Sequence, residues 1–151
     1  MNAKQQTGNV DMRLEVITLP VSDVDRSKAF YQNLGWRLDV DVELSDDVRA
    51  VQLTPPHSAA SIQFGTGATD LEPGRIPRIE LTVDDLDAAR DDLLSRGVEV
   101  SDLFHRDGAG FEPGRDPQNR SYFTYASFAD PDGNEFLIQE ITQRLPGRTW
   151  D

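Results

Sequence analysis

The chain has 151 residues, with 27 Asp and Glu against 15 Lys and Arg, and a formal net charge of −12. So acidic a surface repels phosphate backbones and no basic run offsets it, which excludes nucleic acid and anionic membranes and leaves a small molecule or another protein as the expected partner. No apolar run approaches the ~20 residues of a membrane span and Met1 to Val10 is polar, so the cytoplasm is expected. The absence of cysteine removes disulfides, thiolate metal sites and cysteine nucleophiles.

In chain order, residues 1–11 read as a tail. The alternating run 14–21 predicts a strand, Ser22 and Asp23 a helix start, and Ala29, Phe30 and Leu34 one apolar face of a helix over 24–34 that stops at Gly35. Strands are expected at 36–44, 48–53 and 60–64, the last two joined through Pro55-Pro56, and the Gly- and Pro-rich stretch that follows reads as a linker. The order then recurs. A strand at 78–83 leads to a helix over 85–96 that ends at Gly97, with strands at 98–104, 121–128 and 135–141 and the turn Pro131-Asp132-Gly133. Residues 144–151 form a second tail.

Leu19, Val21, Asp23, Asp25 and Gly35 meet Leu81, Val83, Asp85, Asp87 and Gly97 at a constant offset of 62 residues, as in the pair 19 and 81. The chain is therefore read as two copies of one β-α-β-β-β unit, 12–66 and 77–143, joined by a linker at 67–76. The copies differ where 106–119 is much longer than its counterpart near Asp46, either a binding loop or lid or a tolerated insertion.

Three stretches carry a resemblance. They are Leu19-Pro-Val-Ser-Asp-Val-Asp-Arg-Ser-Lys-Ala-Phe-Tyr31 before Leu34-Gly35, Val83-Asp-Asp-Leu-Asp-Ala-Ala-Arg90 before Arg96-Gly-Val98, and Phe128-Ala-Asp-Pro-Asp-Gly-Asn134. Over about residues 12–143 the chain resembles the vicinal oxygen chelate superfamily of glyoxalase I, bleomycin-resistance proteins and extradiol dioxygenases. The resemblance implies an α+β fold of two βαβββ modules, a curled mixed sheet around a cup, commonly a homodimer, with a divalent metal in the enzymes that use one.

That resemblance also supplies positions for the metal ligands: a His near the start of each module's first strand and a Glu in each last strand. Here they hold Val16, Arg78, Gln63 and Leu137. An Arg cation at such a point repels a divalent ion by roughly 4 kcal/mol at 4 Å for an effective dielectric of about 20. No divalent metal or other cofactor is expected. A shifted site using Glu80, His105 and Glu135 or Glu140 is the competing arrangement, and His57 falls in a turn.

Strand alternation places Ile17, Leu19, Val21, Ile62, Phe64, Ile79, Leu81, Val83, Phe136 and Ile138 under the helices. The opposite parity, Val16, Thr18, Ser61, Gln63, Arg78, Glu80, Thr82, Leu137 and Gln139, lines the cup. Arg78 and Glu80 read either as a structural ion pair or as a ligand-binding pair. Tyr122, Phe123, Tyr125 and Phe128 read as sheet packing or ligand stacking, and His105 as a hydrogen bonder or a catalyst. Arg106, Arg115 and Arg120 are expected to pair with Asp107, Asp116 and other acids.

The candidate ligand-binding residues are thus Thr18, Gln63, Arg78, Glu80, His105, Tyr125 and Gln139, with no catalytic residue assigned. The leading expectation is a protein that binds a small organic molecule in its cup without the usual metal. A metal-dependent lyase, isomerase or dioxygenase with relocated ligands is the alternative, and a regulatory or scaffold dimer a third. Protein purified without chelator is expected to carry far less than one equivalent of zinc, nickel, iron or manganese. Elemental analysis showing a stoichiometric metal lost together with activity on dialysis would overturn this.

Overall fold

The computed structural model describes residues 8–148. Asp23 and Asp85 stand in extended backbone ahead of two ten-residue helices, α1 (Val24–Asn33) and α2 (Leu86–Ser95), and their carboxylates accept from the backbone N–H groups of Arg26 and Ala88. Each aspartate satisfies one of the donors that a helix start leaves unpaired. Gly35 and Gly97 follow each helix with φ of 86° and 81°, the left-handed backbone that lets the chain turn off the helix axis.

Strands β1 (Val16–Thr18), β2 (Arg37–Ser45), β3 (Val48–Thr54) and β4 (Ser61–Phe64) form one sheet in the order β1-β4-β3-β2. Strands β5 (Ile79–Val83), β6 (Phe104–Asp107), β7 (Gly110–Pro113), β8 (Thr124–Ala129) and β9 (Glu135–Glu140) form another in the order β5-β9-β8-β6-β7. The pairs β1/β4 and β5/β9 are parallel and the rest antiparallel, so the fold is α+β with two mixed sheets, the first unit being βαβββ and the second carrying one strand more after its helix.

The strand expected over 14–21 is confined to Val16–Thr18 and the one expected over 121–128 starts at Thr124, and two further expectations need correction. The strand expected over 98–104 begins only at Phe104. Before it, Ser101 donates its backbone N–H to the Ser127 carbonyl, but the Ser127 N–H bonds the Ser101 hydroxyl and Arg90 takes the Ser101 carbonyl, so side chains replace the ladder. The segment 106–119 is also not wholly a loop, because β6 and β7 form a hairpin over residues 104–113 through a turn with Gly108 at φ 60°.

The core is built from the faces expected to lie under the helices. Leu19, Ile62, Phe64, Phe136 and Ile138 are buried in it, and Ile17, Val21, Ile79, Leu81 and Val83 pack against it. At its centre Tyr31, 0% exposed, sits 5.1–5.9 Å between ring centroids from Phe30, Trp36, Phe64 and Phe136, so rings from both modules share one cluster. Its hydroxyl donates to the Asp130 carboxylate at 2.7 Å. That carboxylate also accepts from the Asn134 side chain at 2.8 Å and from the N–H groups of Asn134 and Asp132, while Asn134 donates to the Pro20 carbonyl. Asp132 accepts from the Ser22 hydroxyl and from Arg26. The β8–β9 turn is thereby sewn onto the start of α1.

Burial, reinforced by the Asp130 charge, pushes the Tyr31 hydroxyl far above the ordinary tyrosine range, so it stays a donor. Tyr31→Phe keeps the ring and leaves Asp130 short of a partner. It is expected to lower unfolding stability by about 1–3 kcal/mol in urea titration, the range for a buried group losing its hydrogen bond.

Candidate functional site

The face of each sheet opposite the shared core is only partly open: on the second sheet Tyr125, Leu137 and Gln139 of that face are buried. On the first sheet, Thr18, Gln63, Gln52 and Val40 lie in register across the strands, and the Gln63 amide donates to the Thr18 hydroxyl at 2.7 Å. On the second, the corresponding row is Thr82, Gln139, Tyr125, Phe104 and Pro113. Gln139 donates to the Tyr125 hydroxyl at 3.1 Å and to the Tyr122 carbonyl at 2.9 Å.

This second face carries an aromatic cluster. Phe104 and Tyr125 stack at 5.7 Å with their planes 14° apart, and Phe111 stands edge-on to both at 5.4 and 5.6 Å. The Arg106 guanidinium lies 4.9 Å from the centre of the Phe111 ring, its cross-strand partner. Tyr125 is 3% exposed while Phe111 is 40% exposed, so the cluster is anchored at one end and open at the other.

The structure brings Thr18 to Gln63 and Tyr125 to Gln139, on different sheets. Arg78 and Glu80 are exposed and form no ion pair with each other, so the structural pair considered from sequence is not built. The reason is position: β5 is an edge strand, and a charge standing off an edge stays solvated without a partner. His105 points opposite to Phe104 and Arg106, with Nδ1 at 2.8 Å from the Gly114 carbonyl, away from the other six. Phe104, Phe111 and Arg106 were not among the sequence candidates; only the hairpin register brings them together.

The segment after the hairpin is tied down. Asp116, 2% exposed, accepts from the Arg120 guanidinium at 2.9 and 3.0 Å and from the Arg120 N–H at 2.8 Å, and its own N–H donates to Thr124. Arg120 also lies 3.9 Å over the Phe123 ring. Arg115 donates to Glu140 at 2.6 Å and to Asp87 at 2.8 Å, and Glu140 accepts from the Leu86 N–H at the head of α2. The pairing expected of Arg120 with Asp116 is therefore present, and Arg106 instead covers a ring.

At the four positions that the resemblance assigns to metal ligands, Val16 and Leu137 have no donor, Arg78 is a cation and the Gln63 amide bonds Thr18. These residues do not fit a divalent ion. The shifted set does not converge either, since Glu140 is held by Arg115 and Leu86 and His105 lies on the other face from Glu80. Among the described residues no three or more His, Asp or Glu side chains are grouped to share a metal.

The description Glyoxalase/Bleomycin resistance protein/Dioxygenase superfamily belongs to a family model that matches residues 13–138. Among solved structures, TnmS3, an antibiotic binding protein from Streptomyces sp. CB03234, is 27% identical with a TM-score of 0.68, over 89% of this chain and 99% of that one. A glyoxalase/bleomycin resistance protein from the same source is 28% identical with a TM-score of 0.62, over 85% and 100%. A superfamily member from Sphaerobacter thermophilus DSM 20745 is 27% identical with a TM-score of 0.64, over 86% and 98%. Comparison with curated proteins finds no match.

The anchored segment generates a pH dependence. Hydrogen bonds from the Arg120 side chain, opposed by burial and aided by backbone N–H groups, hold the Asp116 carboxyl well below the usual range. Burial pushes Glu140 up, but Arg115 and the Leu86 N–H outweigh it and leave it low. Both folded values lie below the unfolded ones of about 3.9 and 4.3, so their stabilisation is present above those values and lost as pH falls through the folded ones. The melting temperature should stay level from pH 8 to about 5 and drop below about 4, and Asp116→Asn should lower the plateau and flatten the acid limb.

Proposed function

We propose that this chain, which belongs to the Glyoxalase/Bleomycin resistance protein/Dioxygenase superfamily, binds and sequesters a flat aromatic small molecule on the open face of its second sheet, without a divalent metal. The observation that carries this reading is the half-open cluster of Phe104, Phe111 and Tyr125. A planar ring inserted there gains apolar burial and aromatic contacts of about 0.5–1.5 kcal/mol each beyond the area term. The Tyr125 hydroxyl and Arg106 can donate to carbonyl or carboxylate groups on the ring's edge, and the Gln139 amide oxygen can accept from a phenol, its two N–H groups being taken by Tyr122 and Tyr125. That TnmS3 is an antibiotic binding protein supports the same class of ligand here. The metal-free part of the reading rests on the donor set at Val16, Gln63, Arg78 and Leu137.

One chain offers the aromatic face and the polar Thr18–Gln63–Gln52 face as separate half-sites. The first sheet also leaves Val42, Leu44 and Val48 exposed, an apolar strip suited to cover by another subunit. In our reading a two-fold dimer in the cytoplasm closes each aromatic face with the partner's polar one.

Light scattering is expected to give a dimer, and calorimetric titration with planar aromatic antibiotics a saturable, roughly equimolar isotherm. Phe111→Ala, at an exposed hairpin position, should weaken binding by about 5- to 30-fold, equivalent to about 1–2 kcal/mol. Unchanged affinity in Phe111→Ala and in Tyr125→Leu together would end the aromatic-face reading.

A further inference from the structure

The repeat relates the two junctions between the modules, and they are not alike. At one, the β8–β9 turn reaches across with Asp130, Asp132 and Asn134, and Tyr31 fills the space beneath. At the other, the β3–β4 turn faces α2 across a cleft of about 630 Å³. Leu93 stands where the 62-residue offset places Tyr31, and Ala89 where it places Ser27, and both line the cleft. The side chain of Ser58 in the turn above bonds Ala60 within the turn and does not cross. Smaller side chains on the helix and a turn with no carboxylate to send over leave the second junction open.

The cleft's floor is apolar, with Trp36, Leu93, Phe128 and Ile138. One wall is the edge strand β5. The Val83 carbonyl accepts from the Ile141 N–H at 2.9 Å, so alternation turns the backbone of Leu81 and Val83 to β9 and that of Glu80 and Thr82 away from it. Glu80 and Thr82 line the cleft, and outward N–H and C=O groups on a strand edge are a template for another extended backbone. Charges of both signs stand on the rim, Glu80 and Asp92 with Arg144 and Arg148, and Asp92 is itself paired with Arg96 at 3.0 Å, so neither sign dominates it and an uncharged occupant is favoured. The volume falls within the roughly 300–1,000 Å³ of small-molecule sites.

We propose that this cleft is a second binding site, taking a small uncharged peptide-like molecule whose amides pair with the β5 edge while an apolar side chain rests against Trp36 and Leu93. It is separate from the aromatic face and independent of the function proposed above: Leu93 and Ile138 belong to the helix-facing side of the second sheet, Tyr125 and Gln139 to the other.

The test titrates N-acetyl-phenylalanyl-leucine amide into the ¹⁵N-labelled full chain, with Trp150→Phe so that the Trp36 indole is read alone. Saturable shifts are expected at the amides of Glu80 and Thr82 and at the Trp36 indole. Leu93→Tyr, which copies the filled junction, should weaken binding at least tenfold, as should methylating the probe's backbone nitrogens. If Leu93→Tyr does not fold, Ala59→Phe on the exposed turn serves the same purpose. The proposal is overturned by no saturation at millimolar probe, by shifts centred on Gln63, Tyr125 or Gln139, or by a folded filling variant or methylated probe that binds as the parent does. Shifts at the cleft that follow protein concentration without probe would assign it to a second copy and also overturn it.

Discussion

The fold depends on one buried contact, the Tyr31 hydroxyl donating to Asp130 across the module boundary. A carboxylate that is 5% exposed is costly unless its lone pairs are taken, and here four donors take them: Tyr31, the side chain and N–H of Asn134, and the N–H of Asp132. Because one donor comes from α1 and the others from the β8–β9 turn, the charge is satisfied only when the modules are docked. The ring that carries the hydroxyl also packs on Phe64 of one sheet and Phe136 of the other, so electrostatic satisfaction and apolar burial select the same geometry.

That docking decides where function can reside. With the helix-side faces spent on a common core, the remaining faces are a polar row on one sheet and, on the other, an aromatic cluster that opens to solvent at Phe111. The hairpin β6–β7 widens the second sheet by one strand and supplies Phe111. Its root is held through Asp116 and Arg120, and Arg115 connects it to Glu140 and the head of α2. A hairpin fixed at its root and open at its tip can present a ring to a ligand with little loss of backbone entropy on binding.

Much of this was legible in the sequence, for identifiable reasons. The two Asp caps, the two left-handed glycines and the alternating strand faces are local signals, and they recur at one offset, so each copy checks the other. The aromatic cluster was not legible, because Phe104 and Phe111 lie seven residues apart and meet only through a hairpin whose second strand, Gly-Phe-Glu-Pro, is short and bounded by breakers. The Tyr31–Asp130 bond was equally hidden. Asp130-Pro-Asp-Gly-Asn134 announces a turn, but nothing local says that its side chains bond a helix 99 residues earlier. The ion pair that shared parity suggested for Arg78 and Glu80 does not form, since both stand exposed at the start of an edge strand.

Two copies of one unit start from equivalent surfaces, so departures from the repeat mark where the copies have taken different roles. Common positions hold the frame: Asp23 and Asp85, Gly35 and Gly97, and the apolar pair Leu19 and Leu81. The departures lie elsewhere. The second copy inserts the hairpin that carries the aromatic ring, and it holds Leu93 in place of the tyrosine that closes the other junction. Neither change belongs to the shared frame, because the first copy keeps the same strand and helix order with the short connection and with Tyr31 at the equivalent helix position. Each creates concave or open apolar surface, which water disfavours and a ligand can cover. The asymmetry between the modules, more than the repeat itself, is therefore the physical ground for looking at the second copy for ligand recognition.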